Sequence, residues 1–339
     1  MLSSLLSQEN LCLLQAMVTD LYFENGNIAG VQIISGERWY APVVVLTTGT
    51  FLRGRIHIGT VNYSGGRAGE PAANELGIAI EKLGLPVLRF KTGTPPRVDG
   101  NTINYEGLEK QEEDPETAPF SLWSKPSVFP SKACYITHTN KETHRRIKEN
   151  FGRSALMSGN ITGTGVRYCP SIEDKLNKFP DKDAHKVFLE PEGYDSTEIY
   201  LQGLSTSLPE DAQEAYVSTI KGLENARITR PGYAIEYDIV DPLDLYPSLM
   251  SKSIKNLFLA GQINGTSGYE EAAAQGLIAG INAAAAAKGK PPLMLDAENS
   301  YTGLLIQDIT TLGIKEPYRI EGNCKHHECR QESSLQWNS

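Results

Sequence analysis

No apolar stretch in the 339 residues comes near the roughly 20 that a membrane-spanning helix needs, and the longest candidate, Ile278 to Ala287, is mostly alanine. A soluble chain with no membrane partner is expected. Cysteine is scarce: five residues, at 12, 134, 169, 324 and 329, are odd in number and scattered, which argues against a disulfide framework and for a reducing compartment. Positive charge is in deficit. With 32 Lys+Arg against 41 Asp+Glu the net charge is −9, so the whole-molecule field repels a polyanion, and nucleic-acid contact must come from local basic patches. The first ten residues carry no Arg-rich amphipathic pattern and no signal-peptide layout, so no targeting segment is read there. Also missing is a G-x-G-x-x-G after a strand: Gly65-Gly66-Arg67-Ala68-Gly69 follows a loop, and Gly159 to Gly165 opens onto no clear helix. What remains, 40% apolar and 22% charged residues with 31 Gly and 19 Pro, is an ordinary globular composition long enough for about two domains.

A helix-like stretch from Leu11 is followed by three expected strands, Val18 to Phe23, Ile28 to Ile34 and Trp39 to Leu46, separated by Asn-Gly and Ser-Gly turn signals. The run Val43-Val44-Val45-Leu46 reads as a strand buried on both faces, ending in Thr47-Thr48-Gly49-Thr50 where a ligand crevice would open. A helix is expected from Ala72 to Leu83, stopped by Gly84. Residues 86 to 130 are rich in Pro, Gly and acids, and the run Glu109 to Glu116 reads as a solvated loop. Tyr135 to Thr139 reads as a strand, Lys141 to Asn150 as a charged helix and Glu210 to Leu223 as another, with a strand around Ala234 to Asp238. The last twenty residues lose all apolar periodicity and read as a disordered tail.

The most informative stretch begins at Asn256. Asn256 to Gly261 is a short buried strand ending in glycine, followed by Gln262-Ile263-Asn264-Gly265 and a helix from Tyr269. Strand, glycine turn and helix start form a phosphate-binding geometry, because the first-turn amides and the positive end of the helix dipole can hold a pyrophosphate or a flavin edge. Glu270 and Glu271 fall in the first helical turn, and Ala272, Gly276 and Gly280 form a small-residue stripe expected to let the helix lie close against a neighbour. His57, between Ile56 and Ile58, reads as a strand residue and not a ligand. Cys324-Lys-His-His-Glu-Cys329 has a metal-like composition but an unusual spacing, so no metal site is expected.

Seven segments resemble, in order and in one register, the MnmG (GidA) family. They are Thr47 to Gly54, Ser64 to Glu70, Lys91 to Arg97, Tyr135 to Asn140, Arg167 to Lys175, Phe188 to Gly193, and Ala260 onward. The resemblance implies an α/β fold: a partial two-dinucleotide-binding, Rossmann-like FAD domain with an inserted α/β NAD-binding domain. Residues 1–92 would be the incomplete FAD domain, 93–230 the inserted nicotinamide and substrate domain, 231–319 the return, and 320–339 a tail foreign to the family. It further implies FAD- and NADH-dependent installation of a carboxymethylaminomethyl-type group on C5 of the tRNA wobble uridine, with the MnmE GTPase as partner and a homodimer as assembly. The compartment would be the bacterial cytoplasm, or a mitochondrion or plastid.

Carried over by position, Val18, Thr48, Gly49, Thr50, Gly261, Gln262, Asn264 and Gly265 would contact FAD, while a family serine falls on Ala73. Gly165, Val166, Arg167, Tyr168, Pro170, Ser171, Ile172, Glu173, Asp174 and Lys175 would lie in the nicotinamide stretch, which runs to Phe179. Cys169 would be catalytic: a thiolate adding at C6 of uracil makes C5 nucleophilic. Arg89, Lys91, Arg97 and the Lys141, His144, Arg145, Arg146, Lys148 cluster are candidates for tRNA phosphates. The family's first strand, its Gly-rich pyrophosphate turn and its second catalytic cysteine have no counterpart here, and neither does its C-terminal helical region. A fragment or short isoform with weak or no FAD binding on its own is therefore expected. A generic FAD/NAD(P)H oxidoreductase of small molecules and an inactive partial protein are the competing readings.

Overall fold

The structure, a computed structural model, describes residues 2–111, 132–165 and 170–320. The chain starts with α1 (Leu2–Leu6), wholly exposed. Leu11, Leu13 and Leu14 are exposed and without regular structure, so the helix expected from Leu11 does not form. A short apolar stretch with no face to pack against gains too little to nucleate one. β1 (Val18–Glu24) and β2 (Asn27–Ile33) are joined by Asn25-Gly26, both at positive φ, the two-residue turn whose twist suits a hairpin. β3 (Arg38–Tyr40) completes this antiparallel sheet. The expected strand Trp39 to Leu46 is thus divided: Pro42 has no amide hydrogen to give a ladder, and β4 (Val44–Leu46) leaves the meander to pair elsewhere.

β5 (Arg55–Ile58) and β6 (Val61–Ser64) form a hairpin. α2 (Asn74–Lys82) follows, with Ala73 at its N-cap lacking a side-chain hydrogen bond and Gly84 (φ +82) just past its end. The Pro-, Gly- and acid-rich stretch from 86 onward carries β7 (Val87–Thr94), β8 (Arg97–Asp99) and β9 (Glu109–Gln111), the last of them in the run read as a solvated loop. The charges of β7 disguise it: Arg89 is neutralised by Asp238 at 2.8 Å, and Lys91 is buried. β9 keeps all three residues exposed, and the rest of the acidic run lies outside the described residues.

β10 (Cys134–His138) leads into α3 (Lys141–Glu149), which Asn140 and Thr143 open with a reciprocal capping box. Then come β11 (Thr164–Gly165), α4 (Ile172–Lys178), β12 (Lys186–Pro191), β13 (Glu198–Gln202) and α5 (Glu210–Val217). β14 (Ile228–Arg230), β15 (Tyr233–Val240), β16 (Leu257–Leu259), α6 (Tyr269–Ala287) and α7 (Tyr301–Gln307) complete the order. No described helix is long and apolar enough to cross a membrane. The tail read as disordered, from 321 on, lies outside the described residues, and with it Cys324 to Cys329.

Two compact units divide the chain: residues 1–54, 65–90 and 237–339 in the first, 55–64 and 91–236 in the second. The β5–β6 hairpin goes with the second, whereas the sequence reading kept it in 1–92; a two-strand excursion leaves no linker to see. The first unit holds the β1-β2-β3 meander and the parallel pair β4–β16, in which Val44, Val45 and Leu46 face Leu257, Phe258 and Leu259. Its core joins Leu21, Leu46, Leu76, Leu257, Leu259 and Ile278, from meander, parallel pair and both long helices. The second unit holds the six-stranded antiparallel sheet β14-β8-β13-β12-β10-β9, whose apolar face packs Val98, Val187, Leu189 and Leu201 against Ile147 of α3, Leu176 of α4 and Tyr216 of α5. A five-stranded sheet, β11-β7-β15-β5-β6, includes the two strands along which the chain passes from one unit to the other. The α/β class expected from the sequence is the observed one.

Two histidines buried in the second unit set a pH limit. Burial, with Lys175, His144 and Lys182 adding to it, holds the His185 ring neutral down to about 4, and burial moves His144 in the same direction. Unfolded, each ring takes a proton near its ordinary 6.5, so the stability from keeping them neutral is full above that value and is lost as pH falls toward 4. Thermal melting followed from about pH 7 to about pH 5 should show a steep fall in Tm, and a clearly shallower one in His185→Leu.

Candidate functional site

The pairing of β4 with β16 sets two strand ends side by side in the first unit. The ladder continues past the strands, with the Ala260 amide donating to the Leu46 carbonyl at 3.0 Å. Beyond it Thr47 to Thr50 turns on one side and Gly261 to Asn264 makes a single 3₁₀ turn on the other, closed by Gly265 in the left-handed conformation. A side chain at Gly265 would strike Ile314 at 1.9 Å, so glycine is required there on two counts. Gly49 (φ +55) has open space where a side chain would stand. Thr50 Oγ1 donates to the Gly66 carbonyl at 2.7 Å, and Gly66 lets Phe51 pack flat against its backbone. The Gly65-Gly66 motif therefore folds over the strand end and holds it.

The turn is fixed from behind by a residue that the sequence reading missed. Gln275 of α6, fully buried, accepts from the Gly261 amide at 3.1 Å and from Asn264 Nδ2 at 2.8 Å, and donates to Thr266 Oγ1 at 2.9 Å. Thr266 in turn donates to the Gly261 carbonyl at 3.1 Å. A signal was present, since Glu271, Gln275, Ile278, Ala279 and Asn282 are spaced as one helical face, and that face is the buried one.

Two expectations about α6 need correction. Ala272 touches Gly261, but Gly276 and Gly280 face open space, so the small-residue stripe does not bring a neighbouring helix close. The helix start is not free for a phosphate either. The buried Glu271 carboxylate folds back over Gly268, accepting from the Ile320 amide at 3.3 Å, and the chain itself supplies the anion that the helix dipole favours. Of the two strand ends, Thr47 to Thr50 and Gln262 keep accessible surface instead. Thr48 Oγ1, Asn264 Oδ1 and Glu271 Oε2 are buried without hydrogen-bond partners, and burial pushes the Tyr237 hydroxyl up to about 12. The orphaned Thr48 hydroxyl, next to the open Gly49, fits a polar ligand such as a flavin edge. Val18, at the head of β1, packs half-buried on the unit's core, and Gln262 is half-buried in the turn.

In the second unit, the stretch from Gly165 is described at its two ends. Val166, Arg167, Tyr168 and Cys169 lie outside the described residues. Gly165 ends β11, Pro170 is half-buried, and Ser171 caps α4 by accepting the Asp174 amide at 3.2 Å. Ile172 and Glu173 are fully buried; Glu173 Oε1 accepts from Ser154 Oγ and from the Ser207 amide and hydroxyl, which anchors α4. Lys175 Nζ donates to the Gly203 carbonyl at 2.8 Å, and Asp174 is half-buried. From the start of α4, Asp174 and Lys175 are the carried-over residues that keep accessible surface.

The family model described as Glucose inhibited division protein A, or GidA, matches residues 1–291. The chain belongs to the GidA family. The chain is 54% identical over 314 residues to the "tRNA uridine 5-carboxymethylaminomethyl modification enzyme MnmG" of Syntrophotalea carbinolica, covering 93% of itself and 51% of that relative. It is 54% identical over 313 residues to the protein of the same name from Geobacter sulfurreducens, covering 50% of it. The structure of Aquifex aeolicus GidA in the form I crystal superposes with a TM-score of 0.88 at 48% identity, over 95% of this chain and 55% of that one. The chain thus spans about half the length of these GidA relatives.

The basic residues singled out for tRNA in this GidA chain are mostly engaged at home. Arg89 donates to Asp238 and to the Arg53 carbonyl and is half-buried, and Lys91 is buried. Arg97 pairs with Glu192 at 2.8 Å and lies 4.7 Å over the Tyr200 ring. Arg145 is exposed and Arg146 half-buried on α3, and they share Glu142, whose carboxyl they hold near 2.

Gln275→Leu leaves the Gly261 amide, Asn264 and Thr266 without their partner in the core. Urea unfolding should show a loss of roughly 2–4 kcal/mol; a loss below about 1 kcal/mol would mean that the turn does not depend on the network.

Proposed function

We propose that this chain is part of a tRNA-modifying flavoenzyme. It would hold FAD and NADH and, with a GTPase of the MnmE type, build a carboxymethylaminomethyl-type group on C5 of the wobble uridine. The observation that carries this reading is the 54% identity to the Syntrophotalea carbinolica enzyme over 314 residues, 93% of this chain. The strand ends in the first unit support it: Thr48 to Thr50, Gly261, Gln262, Asn264 and Gly265 would line the flavin, with Val18 beneath. FAD, reduced by NADH, supplies the redox chemistry of the one-carbon transfer. The chain's own contribution is positional. The glycines admit the ring system to the backbone, the Gln275 network fixes the turn, and Gly165 to Phe179 orients the nicotinamide.

Cys169 would add to C6 of the uracil and leave again, returning its electron pair to sulfur once C5 has lost its proton. Exposed Arg145 and half-buried Arg146 are the proposed phosphate contacts, and a homodimer is the proposed assembly. In cells lacking the gene, nucleoside mass spectrometry of tRNA should show loss of the C5-modified wobble uridine, and a Cys169→Ser allele should not restore it. Unchanged modified nucleoside in the deletion strain contradicts the reading.

A further inference from the structure

One face of α6 is left uncovered by the described residues. From Ala272 to Ala287 the helix carries no charge, and its two polar residues there, Gln275 and Asn282, are buried in the unit's core. Tyr269 is 92% exposed, Leu277 65% and Ile281 41%. These three share their side of the helix with exposed Ala273, Ala284 and Ala287, and with Gly276 and Gly280, whose missing side chains would stand in open space. At 3.6 residues per turn all of these positions fall in a sector of about 140°.

A helix face turned to water ordinarily carries charge, and soluble monomers rarely expose a contiguous apolar patch of this kind. Its ends, by contrast, are charged and opposite in sign: Glu270 lies in the first turn, Lys288 at the C-cap and Lys290 just beyond, all exposed. The order of residues fits itself when the same helix is laid against it in the opposite direction. With Leu277 set opposite Gly280 of a second copy, Ile281 falls opposite Gly276, Ala273 opposite Ala284, and Tyr269 and Glu270 opposite Lys288 and Ala287. Each bulky side chain then meets a glycine, and each charged end meets its opposite. A parallel arrangement has neither property, since it sets Leu277 on Leu277 and Glu270 on Glu270.

We propose that this face of α6 is a docking surface for a second copy of the chain, the two helices packing antiparallel about a two-fold axis centred between Leu277 and Gly280. A patch that complements itself serves both copies at once, which is the logic of an isologous contact. One pair of 19-residue helices is a small interface, and the net charge of −9 on each copy opposes it at low salt, so the dimer forms and dissociates with concentration. The homodimer of the function proposed above gains a location here, and to that extent the inference rests on that reading. The packing argument itself uses neither flavin nor tRNA.

The test is sedimentation equilibrium of the purified 339-residue chain at about 0.15 M salt, from about 1 to about 100 μM. A monomer–dimer equilibrium within this range is expected. Gly280→Leu fills the seat of the second copy's Leu277 but meets only open space in its own, so the fold is kept, with a melting temperature at least that of wild type, while the dissociation constant rises at least about tenfold. Leu277→Glu, at an exposed position, should do the same by removing the knob. Direction is read from a chain carrying both Ala273→Cys and Ala284→Cys. Within one helix the two sites lie about 16 Å apart, too far for a disulfide, so mass spectrometry of the oxidised dimer should find 273 joined to 284 of the other copy.

A monomer at every concentration overturns both this face and the homodimer. A dimer whose dissociation constant stays within about twofold in Gly280→Leu and Leu277→Glu, or whose cross-links join 273 to 273, overturns the face and leaves a homodimer built elsewhere. Unchanged wobble nucleoside in the deletion strain would remove the proposed function and leave this face in place.

Discussion

The parallel pairing of β4 with β16 is the constraint on which the first unit depends. Each strand is only three residues long, and they come from distant parts of the chain, so neither could form alone. Together they deliver Thr47–Thr50 and Gly261–Gly265 to the same end of the unit, and every feature of the candidate site follows from that meeting. The site is then stiffened from two sides. Gly66 and Phe51 close over the first strand end, and the buried amide of Gln275 ties the second to α6. Leu249 and Ser251 cover the far edge of β16 by backbone bonds, so the pair is braced where it would otherwise fray.

Buried charge plays a complementary part. β15 carries two carboxylates, one serving each unit. Asp238 in the first takes Arg53 and Arg89, joining the end of the Thr47–Gly54 turn to β7. Glu236 in the second takes His57 and the Thr162–Gly163 backbone. Both are compensated, as burial demands, and both spend their bonds on irregular backbone or on single side chains that repetitive structure would leave unplaced. Hydrophobic packing alone gives the sheets and helices their places; these polar contacts specify the segments between them.

Much of this was legible in the residues. Asn25-Gly26 marks a hairpin because only that kind of pair accepts positive φ twice, and the β-branched run before Thr47 marks a strand, though one buried on a single face, since Val44 and Leu46 are buried and Val45 is exposed. The strand, turn and helix from Asn256 onward were read from glycines and periodicity, and the family from the order of seven motifs. What escaped had physical reasons. β7 was not read as a strand because Arg89 and Lys91 are charged, and the partner that neutralises Arg89 lies far away in sequence. Leu11 to Leu14 looked helical, but a pattern cannot show that nothing packs against it. The glycines of α6 suggested close contact, while the face that is buried carries Glu271, Gln275 and Asn282. Glu236 could not be found at all, since three of its four donors lie in a segment with no pattern.

The proposed function turns on one physical claim: that the two strand ends of the first unit form a cradle for an isoalloxazine ring. Amide hydrogen exchange of this chain, with and without a large excess of FAD, tests it residue by residue. The account expects flavin-dependent slowing at residues 47–50 and 261–265, with the meander strands unaffected. Slowing confined to other segments, or no slowing at these two, would contradict it.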